Sequence, residues 1–75
     1  MTEEEFEKRE REIVDGWRVA RITHLPEAEI RLHRIAIRLI QDAPGARNLD
    51  DVVERGGDLG ELARRFLAEA SAPLR

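Results

Sequence analysis

A chain of 75 residues with net charge −3, 39% charged residues and no cysteine is short enough for a single domain and cannot cross-link itself. At this length folding buries only about 60% of the surface of the unfolded chain. Disulfides and thiolate metal sites are excluded, which leaves tight helix packing, a partner subunit or a histidine/carboxylate metal as reinforcement.

The overall acidity argues against non-specific binding to nucleic acid. No apolar run approaches the roughly 20 residues that span a bilayer, so no membrane segment is expected. The opening Met1-Thr2-Glu3-Glu4-Glu5 is acidic where a secretory leader is basic and then apolar, and a cytoplasmic protein is expected. Lys8 is the single lysine beside twelve arginines, a usage expected of a GC-rich bacterial or phage genome. The charge is unevenly spread: residues 1–12 carry −3, residues 13–47 carry +2 and residues 48–75 carry −2.

Thr2-Glu3-Glu4-Glu5 has the form of a capping box, with acids where the helix dipole favours them. Glu4–Lys8, Glu5–Arg9 and Glu7–Arg11 follow at four-residue spacing as surface pairs. Phe6, Ile13, Trp17, Ala20 and His24 fall in one narrow band at the helical period, which predicts a first helix over about 3–23. Asp15-Gly16 is also a favoured hairpin turn, but the flanking strands would be short and marginal.

Leu25-Pro26 punctuates the chain, and Pro26 opens a second helix to about residue 42. Its apolar residues cover well over half the circumference, leaving a strip of Arg31, Arg34, Arg38 and Gln41, the pattern of a central helix covered by several neighbours. Ala43-Pro44-Gly45 ends it. Asn48 caps a short third helix over 49–55, and Gly56-Gly57 stops it. Asp58-Leu59-Gly60-Glu61 reads as a second capping box opening a helix over 59–70, with a frayed tail at 71–75. The expected fold is one all-α domain over 1–75. It is a small four-helix, orthogonal or bundle-like arrangement of two long and two short helices, with helices 1 and 2 antiparallel and a helical hairpin over 48–70.

No catalytic constellation is evident. Cysteine and tyrosine are absent, Ser71 is the sole serine and has no histidine near it, and no glycine-rich loop follows a strand. An enzyme is not expected, nor a cofactor. His24, Glu27, Glu29 and His33 offer nitrogen and carboxylate donors around the 24–33 corner. A histidine at the edge of an apolar arc more often packs its ring, so no metal is assigned. The 48–70 segment has the outline of a helix-turn-helix, but its second helix would present Asp58 and Glu61 to phosphates.

The sharper feature is the arginine strip. Guanidinium groups pair bidentately with carboxylate or phosphate, and Arg18 and Arg21 would join Arg31, Arg34 and Arg38 across an antiparallel pair. The competing reading has these arginines bridging to acids of the chain's own first and third helices. Trp17 is a core residue by position and an interface anchor by type. The breadth of the second helix's apolar arc suggests self-association. The expected function is a small interaction or regulatory protein, with Trp17, Arg18, Arg21, Arg31, Arg34 and Arg38 as contact residues and a protein partner or a second copy in a homodimer. The alternative is a bacterial or phage DNA-binding regulator using 48–70 or the arginine strip.

Overall fold

The computed structural model describes residues 1–72. It contains four helices: α1 (Glu3–Thr23), α2 (Pro26–Asp42), α3 (Leu49–Arg55) and α4 (Gly57–Ala70). The fold is the expected all-α bundle, and three of the four helices have the bounds read from the caps.

Local chemistry explains the boundaries. The Glu5 amide donates to Thr2 Oγ1 at 3.1 Å, and the Asp51 amide donates to Asn48 Oδ1 at 2.9 Å. Each removes one of the amides a helix start leaves unpaired. α1 ends on His24, whose φ of 52° is left-handed and whose N–H reaches back to the Ala20 carbonyl. Pro26 then opens α2 with the fixed φ its first turn needs. Residues 13–23 are helix throughout, so Asp15-Gly16 makes no hairpin.

α4 departs from expectation. It begins at Gly57, and Gly56 serves both as the C-cap of α3 and as the N-cap of α4. Asp58 therefore lies inside the first turn, where it suits the dipole, and does not cap. Gly56 and Gly57 both have positive φ, 71° and 68°, and this lets the chain reverse in so few residues. Gly60 sits in the crossing itself: a Cβ there would lie 3.2 Å from the Val52 carbonyl oxygen. α4 stops at Ala70 with Ser71 as C-cap. The expected frayed tail lies partly at 73–75, outside the described residues.

Ile13, Leu32, Leu39, Leu62 and Phe66 form the main core, with Phe6, Trp17 and Ile35 packed against it. Ala43, Val52 and Ala63 form a second cluster beneath α3. α4 packs against all three other helices and buries Gly60, Leu62, Ala63 and Phe66. α2 also touches all three, yet it buries only Ala28, Leu32 and Leu39. Its outer residues Ile30 and Ile37 remain 51% and 38% exposed. Among the described residues the broad apolar arc of α2 is thus covered only in part.

Candidate protein-binding groove

α1 and α2 run antiparallel, and Gly16 lets them approach closely. A Cβ at that position would meet Leu32 Cδ2 at 3.2 Å and Ile35 Cδ1 at 3.3 Å. Beside this contact, residues of the two helices line a half-open groove of about 330 Å³. Its apolar floor is the partly buried Ile35, backed by the core residues Ile13 and Leu39. Arg31, Arg34 and Arg38 line it from α2, and Arg9 and Glu12 from α1.

The four arginines are not equivalent. Arg9 is buried and lies 2.9 Å from Asp42 Oδ2. Arg38 reaches the same carboxylate oxygen only at 4.0 Å, with its side chain 60% exposed. Arg31 and Arg34 are exposed and make no ion pair among the described residues. The reading in which the whole strip is an internal salt-bridge edge therefore has no support at Arg31 and Arg34. A second hollow, sharing Arg9 and Arg38, continues from the groove toward Met1, Glu5 and the Gly56-Gly57 turn.

The remaining sequence-derived contact residues lie elsewhere. Arg18 is paired with Asp15 on the surface of α1 at 2.9 Å. Arg21 bonds Glu69 of α4 at 2.8 Å and the Trp17 carbonyl oxygen at 3.3 Å, so it braces α1 to α4. Trp17 is half-buried, with its ring edge-on to Phe66 at a centroid distance of 5.2 Å. Its Nε1 is buried without a hydrogen-bond partner among the described residues. Neither Arg18 nor Arg21 lines the groove, so the antiparallel pair does not gather all five arginines.

Arg9 is the groove residue that sequence reasoning missed. Its four-residue spacing pairs it with Glu5, yet it stands four residues before Ile13 and three after Phe6, on the apolar stripe. That position is the signal that would have turned it inward.

Among the described residues no group of three or more histidine, aspartate or glutamate side chains converges to hold a metal ion. No helix is long and apolar enough to cross a membrane. In the 48–70 hairpin, Leu59 packs partly buried against the core and Gly60 is pressed against the α3 backbone, while Asp58 and Glu61 stay exposed in the first turns of α4. The chain matches no protein-family model, and no curated protein or solved structure is similar to it at a significant level.

Proposed function

We propose that this is a contact protein, acting by presenting the α1–α2 face to another polypeptide. The observation that carries the reading is the state of Arg31 and Arg34: two exposed guanidiniums at helical spacing, beside apolar surface, with no ion pair among the described residues. An internal salt-bridge edge would have engaged them. The exposed Ile30 and Ile37 extend the same helix face with apolar area suited to a polypeptide. A phosphate backbone would make no use of that area, and the acids Glu12 and Asp42 beside the arginines would repel it.

Self-association by this face is the simplest form of the contact, and charge works against it. An antiparallel α2–α2 pairing that set Ile30 on the second copy's Ile37 would centre near residues 33 and 34, bringing Arg34 against its own symmetry mate. A different, acidic chain meets no such opposition.

The reading is tested by site-specific photo-crosslinking in the cells that produce the protein. A photoreactive residue at position 34 is expected to capture a discrete protein adduct, whereas one at position 64, on the exposed side of α4, is expected to capture none. Equal labelling from both positions, or none from 34, overturns the proposal.

A further inference from the structure

Resting on that reading, the geometry points to the kind of partner: we infer that the α1–α2 groove receives an acidic amphipathic helix. Three features favour this occupant.

The first is charge. The groove carries four guanidiniums and one carboxylate, Glu12, in a chain whose net charge is −3. Its potential is opposite in sign to that of the protein as a whole, so it selects an anionic partner.

The second is spacing. Arg31, Arg34 and Arg38 recur at three and four residues and extend for about 10 Å along α2. Carboxylates on one face of a helix recur at the same spacing and the same rise. A small anion would want the arginines convergent on a point; a strip of this length matches an elongated ligand.

The third is the floor. Partly buried Ile35 lies between the charged walls, over the core residues Ile13 and Leu39, where an apolar residue from the same helical face would sit. A helix laid in a groove is read through such anchors at i, i+3, i+4 and i+7. Its carboxylates would meet the α2 arginines bidentately, the pairing that guanidinium geometry favours. Arg9, already held by Asp42, would stiffen the groove without itself being the main contact.

The test uses the whole chain and a capped synthetic alanine-based helix. The peptide carries glutamates at three- and four-residue spacing beside a leucine stripe; a control peptide has glutamine for every glutamate. The expected result is saturable binding whose amide chemical-shift changes cluster on residues 9–13 and 31–39. Binding should weaken as salt rises. It should weaken by at least about tenfold for the glutamine control and for Arg31→Glu/Arg34→Glu, the loss of one charge-assisted contact or more. Arg64→Glu/Arg65→Glu should bind as the wild type does. Circular dichroism confirms that each variant folds, and Arg31→Ala/Arg34→Ala repeats the comparison without introducing new carboxylates.

Absence of binding at low salt, equal binding of both peptides, or shifts confined to α3 and α4 overturns the inference. So does sedimentation showing that the groove is occupied by a second copy in a dimer that Arg34→Glu dissolves. If crosslinking from position 34 succeeds while the acidic peptide fails, the contact reading stands and only the helix partner falls. If both fail, both fall.

Discussion

The guanidinium of Arg9 in α1 lies 2.9 Å from the carboxylate of Asp42 in the last turn of α2, and Arg9 is the one charged residue that the described part of the chain buries. The pair joins the start of one long helix to the end of the other. It is also asymmetric, since the arginine side chain is 9% exposed and the aspartate 41%. Removing the exposed partner strands the buried one. Asp42→Ala is therefore expected to cost about 1–3 kcal/mol, below the full value for a wholly buried pair because water still reaches the site. Arg9→Met, which removes the charge and keeps the apolar stem packed, is expected to cost less than Asp42→Ala. Urea midpoints of the two variants check the order, and a reversed order would show that the pair is held by its surroundings and contributes little itself.

The contact between Trp17 and Phe66 supplies a second prediction. The two rings join α1 to α4 edge-on, and Trp17 Nε1 has no partner among the described residues. Phe66→Ala opens a cavity beside the indole and is expected to cost about 3–5 kcal/mol. A domain of this size holds only on the order of 4–11 kcal/mol in total, so that variant gives up a large share of its stability. Trp17→Phe loses volume but also removes a buried, unpaired N–H, and is expected to cost distinctly less. Denaturant unfolding measures both. An equal cost for the two would mean that the indole N–H is satisfied in solution.

The glycines separate in the same way. At Gly16 an added methyl meets the ends of the Leu32 and Ile35 side chains, which can shift, and the substitution gains about 1 kcal/mol of helix propensity. Gly16→Ala should therefore lie within about 1 kcal/mol of the wild type. At Gly60 the methyl meets the carbonyl oxygens of Val52 and Val53 at 3.2 and 3.3 Å, and backbone cannot swing aside. Gly60→Ala should cost about 1–3 kcal/mol despite the same propensity gain. Thermal melts of the two single variants distinguish these outcomes.

The contrast between these glycines shows what a linear sequence conveys and what it hides. Thr2, Pro26 and Asn48 act through neighbours within four residues, so the starts of α1, α2 and α3 could be read directly. The shared cap at Gly56 was harder, because one residue ends a helix and begins the next, and a capping box two residues later offered a rival start. Periodicity shows which face of α2 is apolar but not how much of it the other helices reach, so the exposure of Ile30 and Ile37 emerges only in the fold. The candidate groove was half legible. Arg31, Arg34 and Arg38 lie on one helix and their alignment follows from spacing alone. Whether Arg18, Arg21 or Arg9 stands across from them depends on the rotation of α1 about its axis, a tertiary quantity that only the packing of Gly16 and Trp17 fixes.

That rotation leads to the last prediction, which separates arginines that hold the fold from arginines left for a partner. Arg21 bonds Glu69 across α1 and α4 at 2.8 Å, with side chains 24% and 18% exposed. Glu69 also holds Arg65 at 3.3 Å, so losing Arg21 disturbs a small network in a partly dry setting. Arg21→Ala is expected to cost about 1–2 kcal/mol, more than a surface pair. Arg31 and Arg34 make no comparable bond, and Arg31→Ala/Arg34→Ala is expected to fall within about 0.5 kcal/mol of the wild type. Paired urea titrations read the difference. If the double variant were as costly as Arg21→Ala, the strip would be structural after all and the groove would lose its claim to a partner. If it is neutral, the chain keeps two adjacent guanidiniums, on the only basic segment of an acidic protein, for no purpose internal to its fold.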